Sequence, residues 1–324
     1  MRHLELSNFV CKFGEKKVLE DYYEQIVLPA FNSNERKKWR NNLYYLYEVT
    51  PGTITTKSGK THKVIYGRLA KNTLLVSKQV EGADGKMVRR TKRLKSSPTS
   101  FFILYVEIHK LVYVTEMGFA PSLSDFEYTV AWLLKNAHRE YLKQVQKLFA
   151  KKITLQNKKP GEKKKPPTLK ELRELYPPPS LTITSIGTKD SLSEFINSYG
   201  KLKRIVVDLL PVNEEKDKSK MYRILRSEMD DLGSEKTSVT HQNKEGMNKA
   251  SAIEELETLV TDANHKIKTY GTDPDGNVQD GTNENFKIKR PVSELPEERD
   301  EAKEFLHGEI IHMIEAKAIP WPLE

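Results

Sequence analysis

The sequence predicts an α+β fold of two domains, with mixed or antiparallel sheets flanked by helices and joined by a Lys/Pro-rich linker. Three observations carry that reading. Short runs rich in Val, Ile, Tyr and Leu are separated by turn signals such as Pro51-Gly52, Ser58-Gly59 and Asp84-Gly85, the signature of antiparallel strands. Both halves also contain longer stretches with apolar residues at helical intervals. Between them, Lys151 to Pro179 is dominated by lysine and proline, which lack a packable face and keep a chain extended, apart from a short helix at Thr168 to Leu175. The expected units are residues 1–150, a linker at 151–180, and residues 181–324.

Taken in order, Val18 to Phe31 has helical spacing that Pro29 ends or bends. Leu43 to Val49, Val64 to Arg68, Leu74 to Val80 and Phe101 to Ile108 read as strands. Asp84-Gly85 suits a tight hairpin because glycine tolerates positive φ, and a second hairpin turns at His109-Lys110. A helix follows over Ser122 to Phe149, with Ser122 or Ser124 as N-cap and Asp125 and Glu127 in the first turn. Beyond the linker come a strand at Leu181 to Ile186, a helix at Ser191 to Tyr199 and a strand at Leu202 to Leu210. Helices at Asp217 to Leu232 and Lys249 to Asp262 flank a polar stretch, Gly233 to Asn248. Lys266 to Tyr270 and Asn285 to Arg290 pair as a late hairpin. The closing helix runs from Glu297 to Ala318 and buries Phe305, Leu306, Ile310, Met313 and Ile314.

Composition narrows the function classes. The 324 residues carry 54 Lys+Arg against 45 Asp+Glu, and the excess is uneven, because residues 291–324 hold nine acids and three bases. Bases cluster at Arg36, Lys37, Lys38 and Arg40; at Lys86, Arg89, Arg90, Lys92, Arg93 and Lys95; and in the linker, where Lys163, Lys164 and Lys165 are consecutive. Such clusters suit a polyanion, since neutralising phosphates releases counterions regardless of sequence. Trp39 inside the first cluster is a candidate for base stacking, whereas Tyr44, Tyr45, Tyr47 and Tyr66 are expected in a sheet core. One cysteine, Cys11, excludes an internal disulfide and a multi-cysteine zinc site, and is expected as a buried thiol. The chain has no apolar run of the ~18–20 residues that span a bilayer, and its start lacks a signal-peptide core, so a cytoplasmic location is expected.

Catalytic and cofactor motifs are weak. The turn Asp273-Pro-Asp275-Gly-Asn277 with Glu284 has carboxylate spacing like a calcium loop, but Val278 stands where glycine is required, which favours a polar turn. Glu304 with His307 and Glu309 with His312 repeat a di-metal spacing, yet the two histidines diverge around the helix, which favours an exposed stripe. Phosphate-cradling glycine loops and a nucleophile elbow are missing from the sequence. No cofactor and no enzymatic activity are expected.

The block Ser97-Pro-Thr-Ser-Phe-Phe-Ile-Leu, then Val112 to Glu116, then Gly118-Phe-Ala-Pro-Ser-Leu-Ser-Asp-Phe126 resembles the RexA family of phage exclusion proteins. That family runs a Pro-Ser-Phe strand, a second strand and a Gly-Pro-x-x-Ser-Asp helix start in the same order. The apolar strand at Leu202 to Leu210 and the closing helix are similar too, while the linker and the region Thr272 to Asn285 depart from the pattern. The resemblance implies a homodimer that binds double-stranded DNA with little sequence preference, excludes or aborts phage infection, and signals to a membrane protein encoded nearby.

The expectation is therefore a DNA-binding sensor or effector of anti-phage defence. Its candidate contacts are Arg36, Lys37, Lys38, Trp39, Arg40, Arg89, Arg90, Lys92, Arg93, Lys95, Lys163, Lys164 and Lys165. Two alternatives stand beside it: a metal-dependent nuclease toxin built from scattered acids such as Asp125, Glu127 and Asp208, and a basic adaptor held on acidic lipid.

Overall fold

A computed structural model describes residues 2–56, 58–78, 80–81, 86–89, 91–156, 165–212, 217–234, 236–319 and 321–323. The chain runs β1 (Arg2–Phe13), β2 (Lys17–Val18), α1 (Leu28–Phe31), β3 (Lys37–Trp39), β4 (Asn42–Thr55), β5 (Thr61–Ser77), β6 (Val80–Glu81), β7 (Met87–Val88), β8 (Lys92–Ser96), β9 (Thr99–Tyr105) and β10 (Lys110–Thr115). It continues with α2 (Leu123–Gln156), α3 (Leu169–Leu175), β11 (Pro179–Ser185), α4 (Lys189–Asn197), β12 (Lys201–Leu209), α5 (Lys220–Asp231), β13 (Thr237–Gln242) and α6 (Lys249–Asp262). The last elements are β14 (His265–Thr272), β15 (Val278–Thr282), β16 (Arg290–Val292) and α7 (Arg299–Glu315). The fold is α+β with antiparallel sheets.

The larger sheet follows the order β11-β1-β10-β9-β5-β4-β3, with β2 and β16 also on β1 and β8 on β5. Its central strands β1, β9 and β10 are buried on both faces. In β1, Leu4 and Leu6 enter one core while Phe9, Cys11 and Phe13 enter the other, as the two-residue strand period requires. Phe102, Leu104, Leu111 and Tyr113 meet α1 and α2 on the first face. Phe101, Ile103, Val112 and Val114 meet α7 and the tail residues Ile319, Trp321 and Leu323 on the second. On α7 the stripe Ala302, Leu306, Ile310 and Met313 falls on one side of the helix, and each large apolar side chain so buried contributes about 1.5–3 kcal/mol. The sheet thus draws strands from both ends of the chain, since β11 and β16 pair with β1.

The smaller sheet, β13-β12-β14-β15, packs Ile205, Val207 and Ile267 against α4, α5 and α6. Asn8 Nδ2 donates to Asn264 Oδ1 at 2.9 Å, tying β1 to the loop before β14. In β4 the ladder slips between Tyr47 and Thr50, and Gly67 of β5 faces the bulge. Ser122 caps α2, its hydroxyl accepting from the Asp125 N–H while Asp125 accepts from the Ser122 N–H. Among the described residues no helix is long and apolar enough to cross a membrane.

Several elements differ from expectation. β1 carries no expected element in the sequence reading, because its buried residues serve two faces and leave no one-sided pattern. β13 lies inside the stretch read as polar linker, since an edge strand with Ser238, Thr240 and Gln242 lacks an apolar signal. The late hairpin pairs β14 with β15, not with 285–290, because the Asp273 turn closes at Asn277 and the strand resumes at Val278. The stretch 19–27 is tight and wide helical turns leading into α1, with Pro29 in the first turn of α1, where its missing N–H costs little. Within the expected linker, α2 runs on to Gln156, and α3 folds back so that Leu172 is buried and Gln146 Nε2 donates to the Pro167 carbonyl.

Candidate nucleic-acid interface

β5 outruns β4. Its pairing with β4 begins at Leu43 opposite Asn72, and from Thr73 to Ser77 it pairs with β8. β6 and β7, which lie between β5 and β8 in sequence, pair as a further two-stranded ladder, and the β5–β8 ribbon leaves the end of the sheet for about 17 Å. Asp84-Gly85, the expected turn, lies outside the described residues. Both faces of the ribbon are solvated, for Leu74, which faces Lys95, and Leu94, which lies on the opposite face, are half exposed or more. The exposed bases on it are Lys78, Lys86, Arg89, Arg93 and Lys95. Arg90 lies outside the described residues, as does the side chain of Lys92 on β8.

The first cluster sits on the neighbouring β3–β4 hairpin, whose turn residue Arg40 has φ +54°. Lys38 and Arg40 are exposed. Arg36 stacks its guanidinium over the Tyr45 ring at 4.5 Å. Trp39 is 45% exposed and meets Tyr128 of α2 edge-on at 5.2 Å. Lys37 departs from the expected surface contact. It is buried, its Nζ donates to the Tyr128 carbonyl at 2.6 Å and stands 3.2 Å from the Tyr128 ring centre. Burial, then the charge of Lys135, brings its ammonium pKa down to about 8. Asn72 joins the hairpin to the root of the ribbon, accepting from the Ser97 hydroxyl at 2.6 Å beside Leu43. In the linker Lys165 is exposed, and Lys163 and Lys164 lie outside the described residues.

Two lysines outside the basic clusters also belong to this end of the molecule. Lys71 stands 6.0 Å from the Tyr44 ring, and Lys135 faces Lys37 from α2. Lysines at a helix spacing carry no signal until the helix is placed beside the hairpin. Among the tyrosines, Tyr44 and Tyr66 are core residues, whereas Tyr47 is 47% exposed.

Elsewhere the polar chemistry is local. Asp125 caps α2, Glu127 accepts from the Ile183 N–H at 3.0 Å, and Asp208 is engaged by Ser238 and Lys268. Among the described residues no three His, Cys, Asp or Glu gather as a metal-binding group. Asp273 accepts from both nitrogens of Asn277, while Glu284 is held by Ser185 and Lys287. His307, expected on an exposed stripe, is buried against Tyr105 with Tyr105 Oη and His307 Nδ1 3.0 Å apart. Cys11 is fully buried and its thiol is pushed up to about 12, which keeps it protonated at neutral pH. His265 is also buried, 3.5 Å from Asp217, which is itself paired with Arg226; burial holds the imidazole well below its usual range.

In comparisons with known proteins the chain matches no family model and no curated protein.

Proposed function

We propose that this protein binds double-stranded DNA with little sequence preference through the β5–β8 ribbon and the adjoining β3–β4 hairpin. The supporting observation is the ribbon, solvated on both faces and carrying exposed Arg89, Arg93 and Lys95. A two-stranded ribbon is of a size the major groove admits, and its bases reach phosphates on either side. Trp39 and the Arg36–Tyr45 stack flank it. The resemblance of Ser97 to Phe126 to the RexA family adds the biological role: a cytoplasmic homodimeric sensor or effector of phage exclusion, coupled to a membrane partner.

Fluorescence anisotropy with duplex DNA, single-stranded DNA and RNA across a salt series tests this reading, followed by a gel of the same DNA with magnesium. Tight duplex binding with a steep salt slope and intact DNA is expected. Cleaved DNA would replace it with the nuclease reading. No duplex binding, with flotation on acidic vesicles, would replace it with the lipid adaptor.

A further inference from the structure

A concavity of about 290 Å³ opens where α2 meets α3 and the segment after it, walled by Lys135, His138, Arg139, Leu142, Arg173 and Pro178. Three of these six residues are cations and none is a carboxylate. Of the acids close in sequence to the wall, Glu140 pairs with Lys143 and Glu171 caps α3 through Thr168, while Glu174 beside Arg173 is exposed. Among the described residues Lys135, Arg139 and Arg173 have no ion-pair partner within 4.0 Å.

The floor is built and not merely superficial. His138 and Leu142 are buried, and His138 Nε2 lies 2.9 Å from the Tyr176 carbonyl. A carbonyl only accepts, so Nε2 carries the proton and the ring is locked in one orientation. Arg173 is brought to the wall by the fold-back of α3, whose Leu172 is buried beneath. The positive charge of the wall reaches neighbouring groups: Lys135 adds to the lowering of Lys37, and Arg173 to that of His138, burial being the larger cause in both. A bound anion would offset that positive potential.

We infer that this concavity is a binding site for the di- or triphosphate group of a small molecule. Three exposed cations match the charge of such a group, two of them arginines suited to forked phosphate contacts, with Leu142 and Pro178 as apolar walls. The volume, at the small end of ligand pockets, fits a phosphate chain with little else enclosed. The site holds no residue of the ribbon; only Lys135 also faces the β3–β4 hairpin, so the test replaces Arg139 and Arg173 and leaves Lys135 in place.

Calorimetry and thermal shift of the full chain with inorganic pyrophosphate and with tripolyphosphate test it. Saturable binding and a raised melting temperature are expected for the native protein. Arg139→Ser with Arg173→Ser weakens polyphosphate binding at least tenfold while duplex affinity changes less than threefold. Arg93→Gln with Lys95→Gln does the reverse. The thermal shift of the unaltered protein needs no variant, so a poorly folding double substitution does not rescue the idea. Silence toward both polyphosphates at millimolar concentration overturns the inference. So does polyphosphate binding that survives loss of both arginines. If the arginine pair is instead required for duplex DNA, the concavity seats a backbone phosphate and the small-ligand assignment is wrong.

Discussion

Lys37 donates to the Tyr128 carbonyl and places its ammonium against the face of the same ring, 3.2 Å from its centre. One side chain thereby pins the edge hairpin to α2, which holds Trp39 beside Tyr128 and keeps the first basic cluster at the root of the ribbon.

The pin is a buried charge, and its removal is expected to stabilise the fold. The folded-state pKa of Lys37 is near 8 against an ordinary 10.5, so the protonated folded form is penalised below pH 8 and the penalty is gone above about 10.5. Lys37→Met should raise stability at pH 7 by about 1–2 kcal/mol, read from urea unfolding, with the gain shrinking as pH approaches 10. A loss of stability at pH 7 would show that the Tyr128 contacts outweigh the desolvation.

Replacing Arg89, Arg93 and Lys95 together with glutamine should lower duplex affinity for every sequence alike. If each meets one phosphate, the slope of log affinity against log salt falls by about 2.7. Loss confined to one sequence, or an unchanged slope, would place the ribbon away from the DNA backbone.

Gly67 faces the β4 bulge with φ +157°, and a Cβ there would lie 2.7 Å from Val49 Cα and 2.9 Å from the Glu48 carbonyl oxygen. Both contacts are backbone and cannot rotate away. Gly67→Ala should cost about 1–3 kcal/mol and loosen the Arg68 bridges to Glu48 and Glu116. Amide exchange along β4 and β5 measures this directly; native protection in the variant would mean that the bulge adapts.

Acid should unfold the smaller sheet through His265. Its folded pKa lies below the unfolded value of 6.5, so its contribution is complete above 6.5 and is lost as pH falls toward the folded pKa. The urea midpoint should therefore drop between pH 7 and 5, and His265→Gln should flatten that dependence. A variant with the same pH profile as the native chain would assign the effect to other groups.

The closing helix was legible because its apolar residues recur at turns of one helix and touch one surface. So was the α2 cap, since Ser122 and Asp125 act within three residues. β1 was not, because a strand sandwiched between two helical layers shows no polar face. For the interface, charge density marked both basic clusters, yet the burial of Lys37 depends on Tyr128, ninety-one positions away. Arg139 and Arg173 likewise become neighbours only when α3 folds back, which no local pattern announces.

The pairing of β1 with β11 and β16 has a consequence for how the protein is made. Residues 2–115 leave the ribosome with six strands of the main ladder able to zip together, but one face of that sheet stays bare until α7 and the tail emerge some two hundred residues later. During that interval Phe101, Ile103, Val112 and Val114 are open to other chains, and contacts of such sequence separation form slowly. Newly synthesised copies therefore depend on holding that apolar face apart from its neighbours, and a nascent chain stalled before residue 299 is an aggregation risk even though most of its strands are complete.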